Sequence, residues 1–177
     1  MHLNKCVFLD RDGVLNEERG DYTYRTENFK IIPGVPEALQ LLKQAGYLLI
    51  VVTNQGGIAK GLYAKTNMLA CHQKLQEACN EVIDAIYYAP AHPSVSASLA
   101  RKPDSLMLEK AIARFKIDST QSWLVGDQHR DILAAQKVGV KTIWIKNELV
   151  ESTPDICFAP NLLAAARLIS ENKKTGS

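Results

Sequence analysis

No apolar run in this 177-residue sequence approaches the roughly 20 residues needed to cross a bilayer. The apolar stretch at residues 6–9 stops at Asp10, far too early for the core of a signal peptide. Charge of one sign is equally scarce: 21 basic against 19 acidic residues leave a formal net charge of +2, and the one local basic cluster, Lys173-Lys174, sits in the tail. A polyanionic partner therefore gets no support. The four cysteines, Cys6, Cys71, Cys79 and Cys157, are widely spaced and form no Cys-x-x-Cys pair, which fits reduced thiols buried as small hydrophobes. Internal repeats and low-complexity linkers are missing too. These absences leave a cytoplasmic enzyme or binding domain, with neither a membrane nor a nucleic acid for a partner.

The length suits one domain with a sizeable core, and 46% hydrophobic with 23% charged residues is ordinary for a globular chain. Residues 1–172 are expected to form that domain, as a monomer, and residues 173–177 a disordered tail. Near-continuous runs of Val, Ile, Leu and aromatic residues predict strands at 5–9, 47–53, 85–88, 122–125 and 142–145, of the kind buried on both faces. Amphipathic stretches lie between them. Val35, Ala38, Leu39 and Leu42 share one stripe, closed by Gly46. Thr66 is placed to cap a helix running to about residue 82, and Ser105 one running to about 116. A helix at 132–138 ends at Gly139, and the last, at 162–170, follows Pro160. Alternation of this kind predicts an α/β fold, a Rossmann-like parallel sheet with helices on both faces. The irregular stretches at 11–33 and 89–103 exceed ordinary connections and are candidate functional loops.

Four motifs sit where strands end or helices begin. In Val7-Phe8-Leu9-Asp10-Arg11-Asp12-Gly13, two carboxylates follow the first strand, at the sheet edge where open α/β folds bind ligands. One carboxylate could attack phosphorus while sharing a magnesium ion, and the other handle a proton. A solvated acidic turn is the plainer alternative; an EF-hand loop is excluded, because Gly13 falls at loop position 4 rather than 6. Thr53-Asn54-Gln55-Gly56-Gly57 ends the second strand with a hydroxyl, amides and flexible backbone N–H groups able to hold phosphate oxygens, or simply makes a polar turn. Arg101-Lys102-Pro103 offers a cation for a transferring phosphoryl group, or solvated surface. In Gly126-Asp127-Gln128-His129-Arg130-Asp131, Asp127 would complete a magnesium site with Asp10. Alternatively, Asp127 or Asp131 is a charge favouring a helix N-terminus, worth under about 1 kcal/mol.

A parallel sheet would bring all four to one edge. There they supply a nucleophile, a proton carrier, phosphate donors, a cation and metal ligands, a complete phosphoryl-transfer set. The ordered set Asp-Arg-Asp-Gly, Thr-Asn, Arg-Lys-Pro and Gly-Asp-x-x-x-Asp resembles the haloacid dehalogenase superfamily of phosphohydrolases. More closely, FLDRDGVLN, NFKIIPGV, VVTNQGGIAKGLY, IYYAPAHP, RKPDSLML and VGDQHRDILAA are similar to the D-glycero-D-manno-heptose-1,7-bisphosphate 7-phosphatase family, over about residues 5–145. That family shares ancestry with the histidinol-phosphate phosphatases.

The resemblance implies a magnesium-dependent phosphatase without a large cap domain, acting on a phosphorylated heptose that feeds nucleotide-activated heptose and the lipopolysaccharide core. It makes Asp10 the nucleophile, forming an aspartyl phosphate, and Asp12 the general acid–base. Magnesium would be held by the carboxylates of Asp10 and Asp127 and the backbone carbonyl of Asp12, with Asp131 supporting them from behind. Thr53 and Lys102 would stabilise the phosphoryl group, and Arg101 would help recognise the substrate. Glu18, Arg19, Gly20, Asp21, Asn54, Gln55 and Gln128 match positions lining the substrate site, although the loop carrying the first four is one residue longer than the usual pattern. One departure concerns metal. Many members carry a zinc loop written Cys-x-His-His-Pro, followed by Cys-x-Cys directly before Arg-Lys-Pro. Here Ala89, Ala91, Ser98 and Ala100 replace the cysteines and one histidine, and His92 alone cannot make a four-ligand site, so no zinc is expected. Packing of Tyr87, Pro90, Pro93 and Leu99 is expected to hold that loop instead. A histidinol-phosphate or other small-metabolite phosphatase is the enzymatic alternative. An inactive phosphate-binding module is the other, against which the presence of both Asp10 and Asp12 speaks.

Overall fold

The computed structural model describes residues 3–146 and 156–171; the tail expected to be disordered lies outside them. The described residues form a six-stranded parallel sheet of β1 (Cys6–Leu9), β2 (Leu48–Asn54), β3 (Ala85–Ala89), β4 (Trp123–Gly126), β5 (Lys141–Ile145) and β6 (Ile156–Ala159). The spatial order is β3-β2-β1-β4-β5-β6. Every residue of β1 is fully buried, because both faces of the central strand are covered. Val7 and Leu9 face a core shared with α1 (Val35–Gln44), α2 (Lys65–Ala78) and α5 (Leu162–Glu171). Cys6 and Phe8 face a second core built on α3 (Leu106–Phe115) and α4 (His129–Lys137). The long connections at 11–33 and 89–103 are irregular apart from a 3-10 turn at Thr26–Asn28, so the described residues include no large cap. None of the described helices is long and apolar enough to cross a membrane.

Five predicted strands appear at their predicted places, and the sixth, β6, does not follow from the pattern. It is four residues long and pairs with β5 alone, so its apolar run is too short to stand out. The second helix starts at Lys65, not after a Thr66 cap, because the Asn67 side chain accepts the Ala64 N–H at 2.9 Å. It also stops short of residue 82: Asn80 and Glu81 take left-handed backbone angles, and the Gln76 amide folds over to bond both backbone groups of Ile83. The fourth helix begins three residues earlier than the apolar pattern shows, at His129. Asp131 Oδ2 accepts the Gln128 N–H at 3.0 Å and closes its first turn.

Topology places the site. After β1 the chain builds β2 and β3 to one side, then returns to build β4, β5 and β6 on the other. The carboxyl ends of β1 and β4 therefore border the switch point where ligands bind in such sheets. Leu9 is in register with Val51 on one side and Val125 on the other, and the Asp10 N–H bonds the Val125 carbonyl at 3.0 Å. The motif after β1 is thereby brought against the motifs that end β2 and β4.

Candidate active site

A buried charge cluster lies at this edge. Lys102 is 1% exposed, and its ammonium meets three acceptors: Asp131 Oδ1 at 2.5 Å, the Val52 carbonyl at 2.8 Å and Asp10 Oδ1 at 3.0 Å. The contact with Val52 is a hydrogen bond, and the two carboxylate contacts are ion pairs. Burial alone would push the Lys102 pKa down, but Asp10 and Asp131 more than offset this and hold it above its usual value. Asn54 fixes the Lys102 backbone from both sides, accepting its N–H and donating to its carbonyl, each at 3.0 Å. Asp10 is 4% exposed; its Oδ1 also accepts the Arg11 N–H at 2.8 Å. Burial first, then the neighbouring Asp131, raises the Asp10 pKa to about 7 against the downward pull of Lys102.

The carboxylates outnumber the cation. Asp10, Asp127 and Asp131 bring oxygens within 4.8 Å of one another, the one such grouping of potential metal ligands found among the described residues. Three carboxylates and one ammonium leave an excess of two negative charges, which a divalent cation would neutralise. Asp127 Oδ1 is buried with no hydrogen-bond partner, and Asp127 Oδ2 accepts from Gln128 Nε2 at 3.0 Å. Asp131 Oδ2 accepts the Gln128 N–H, and its Oδ1 lies in ion-pair contact with Lys102 without a hydrogen-bond partner among the described residues. The plainer expectation for Asp131, a charge at a helix start, is thus part of its role. Two glycines make room: a Cβ on Gly126 would collide with Asp131, and one on Gly13, at φ +81°, with the Asp127 carboxylate. The donor set is all oxygen and fits a hard divalent ion.

Asp12 is held by a network that the sequence does not announce. Arg11 is fully buried. Its guanidinium donates to Asp12 Oδ1 at 2.9 Å and to the Thr23 carbonyl at 2.8 Å, and it lies 5.4 Å from the Phe29 ring centre. Asn16 adds a second donor to the same oxygen at 2.9 Å. Asp12 Oδ2 meets only Gln55 Nε2, at 3.3 Å. Gln55 in turn donates to Thr53 Oγ1 at 2.9 Å and accepts from the Tyr63 hydroxyl at 2.7 Å. Tyr63 stacks on Tyr24 at 4.8 Å. Gln55 is therefore tied into the scaffold that sets Asp12 and Thr53. His72 stands behind Arg11 at 3.4 Å, its pKa lowered to about 4 by burial and then by the guanidinium.

Over this floor opens a cleft of about 530 Å³. Asp10, Asp12, Glu18, Gly20, Asp21, Asn54, Gln55, Arg101 and Gln128 line it, as the motifs led one to expect. Thr53 and Lys102 are buried beneath, and exposed Arg19 is not in the lining. Tyr22 and Arg130 line it as well, without having been picked out from the sequence. Of the residues expected to hold the segment at 89–103, Tyr87 packs against the second core, but Leu99 is 70% exposed and Pro90 and Pro93 are exposed, so they pack little. Backbone bonds to the His92 and Pro90 carbonyls, an Arg101 bond to the Ala91 carbonyl, and the His92 ring close to Gly56 hold it instead.

The model of the haloacid dehalogenase-like hydrolase family matches residues 14–145. A D-glycero-beta-D-manno-heptose-1,7-bisphosphate 7-phosphatase of Haemophilus ducreyi is 42% identical over 147 residues, 78% of this chain and 80% of its own. A D-glycero-D-manno-heptose-1,7-bisphosphate 7-phosphatase of Chlorobaculum tepidum is 34% identical over 160 residues, 82% of this chain and 80% of its own. Among solved structures, a D,D-heptose 1,7-bisphosphate phosphatase from B. bronchiseptica, complexed with magnesium and phosphate, superposes with a TM-score of 0.86 at 26% identity, covering 95% of this chain and 99% of its own. The chain belongs to the haloacid dehalogenase-like hydrolases and, within them, to the heptose-1,7-bisphosphate 7-phosphatase family.

Proposed function

We propose that this chain removes the 7-phosphate of D-glycero-D-manno-heptose 1,7-bisphosphate through an aspartyl phosphate on Asp10, giving heptose 1-phosphate and inorganic phosphate. The observation that carries the reading is Asp10 itself: a buried carboxylate at the cleft floor, anchored through one oxygen, between Lys102 and the unpartnered oxygen of Asp127. In the first step a carboxylate oxygen of Asp10 bonds to phosphorus, the bond from phosphorus to the sugar oxygen breaks, and Asp12 gives its proton to the leaving oxygen. In the second, Asp12 takes a proton from water, the water oxygen bonds to phosphorus, and phosphate leaves with Asp10 restored. Asp12 Oδ2, held by one long bond, is the oxygen suited to carry that proton, while Arg11 and Asn16 fix the other. Lys102 and Thr53 face the charge that develops on the phosphoryl oxygens.

Magnesium, held by Asp10, Asp127 and the Asp12 backbone carbonyl, would supply charge neutralisation at the phosphoryl group. Structural zinc has no place in this reading, because the loop at 89–100 offers only His92, whose Nδ1 lies 2.7 Å from the Ser94 hydroxyl. Four free thiols accord with a reducing, cytoplasmic setting. The test is phosphate release from the heptose bisphosphate, histidinol phosphate and fructose bisphosphate by wild type and by Asp10→Asn. Wild type should favour the heptose bisphosphate, and the variant should lose several orders of magnitude in turnover. Substantial turnover by Asp10→Asn protein shown by mass spectrometry to be free of deamidation would sink the covalent mechanism.

A further inference from the structure

The cleft has a charge polarity that transfer of one phosphate does not use. Of its cations, Arg11 is committed to Asp12 and Thr23, and Lys102 below is ion-paired with Asp10 and Asp131. Two cations remain on the lining, Arg101 and Arg130, and among the described residues neither is ion-paired to a carboxylate. Arg101 is half-buried and steadied by the Ala91 carbonyl at 3.2 Å. Arg130 stands in the first turn of α4, where free backbone N–H groups and the helix dipole also favour an anion. Glu18 and Asp21 also line the cleft, and each caps its own turn by accepting backbone N–H groups. Burial and then the nearby Arg130 charge depress the Arg101 pKa.

We propose that Arg130 acts with Arg101 as a two-guanidinium clamp for the phosphate that stays on the substrate, so that Arg130 determines the preference for bisphosphates over monophosphates. The inference rests on the function proposed above, which gives the substrate two phosphates. One is consumed at Asp10; the other is a dianion that must lie in the same cleft, and the Arg101–Arg130 wall is where it can be bonded by planar forks of donors. Sugar hydroxyls would then face the carboxylates of Glu18 and Asp21. A different role is available to Arg130, because its charge also acts on Asp127; that role would affect every substrate alike.

The experiment compares kcat/KM for heptose 1,7-bisphosphate with kcat/KM for heptose 7-phosphate, which shares the transferable group. The ratio should favour the bisphosphate in wild type, fall about tenfold in Arg130→Ala, mainly through KM, and return only in part in Arg130→Lys, which restores the charge but not the fork of donors. An unchanged ratio, or an equal loss on both substrates, overturns the clamp. If wild type cleaves p-nitrophenyl phosphate but neither heptose ester, the substrate reading has failed on its own. The clamp is then judged by competition against p-nitrophenyl phosphate: fructose 1,6-bisphosphate should inhibit about tenfold more tightly than fructose 6-phosphate, and lose that margin in Arg130→Ala. No margin in wild type, or a margin that survives the substitution, overturns it.

Discussion

Replacing Lys102 with Met keeps the length of the side chain and removes its charge. The ammonium is fully buried, ion-paired with Asp10 and Asp131 and donating to the Val52 carbonyl, and Asn54 holds its backbone in place. Deleting it leaves two carboxylates in contact range with no counter-charge and a backbone carbonyl without a donor. Removal of one partner from a buried ion pair costs about 3–5 kcal/mol. For a chain of this size each kcal/mol lowers the melting temperature by about 2–4 °C, so Lys102→Met should melt about 6–20 °C below wild type without added metal. Asp131→Asn retains an oxygen to accept the Gln128 N–H but gives up the charge facing Lys102. The double variant should therefore lose less than the sum of the single losses, by about 0.5–3 kcal/mol. Urea melts in a chelating buffer, read by circular dichroism, measure all four proteins. A Lys102→Met loss below about 1 kcal/mol, or strict additivity with Asp131→Asn, would refute the assignment of Lys102 as the cluster's counter-charge.

Asp12→Asn should slow both chemical steps, and the activated leaving group of p-nitrophenyl phosphate should rescue only the first; stopped-flow traces should show a burst followed by stalled turnover, and near wild-type rates on both substrates would remove Asp12 from its role. His72 is buried with a pKa near 4, so the folded protein binds fewer protons at that site than the unfolded chain between pH 6.5 and 4. Its contribution is present above pH 6.5 and lost as pH falls through 4; His72→Gln should flatten that part of the stability–pH curve relative to wild type, and identical slopes in urea melts would contradict this. Magnesium should raise the melting temperature of wild type but hardly that of Asp127→Asn, and thermal shift across a magnesium titration checks it. Elemental analysis should find no stoichiometric zinc, and one tightly bound zinc per chain would overturn the reading of the loop at 89–100.

The sequence by itself determined the alternation of strands and helices and the residue types gathered at the sheet edge. Both are local: a run such as Cys6–Leu9 is buried on both faces wherever it lies in a parallel sheet, and Asp10, Asp127 and Lys102 each sit at a recognisable strand end or helix approach. The tertiary structure decided which of them meet. Arg11 reads as an ordinary charged residue between two acids, yet folding buries it completely against Phe29 and turns it onto Asp12. Gln55 lines the cleft, and only the fold shows that Tyr63, eight positions on, donates to its carbonyl oxygen while its amide reaches Thr53 and Asp12. Arg130 carries no apolar periodicity and lies just ahead of the pattern that marks α4, so only the Asp131 cap, which starts the helix early, puts it on the cleft. The edge strand β6 escaped for a related reason. Its four residues gain their order from pairing with β5, a contact between segments that the linear pattern cannot show.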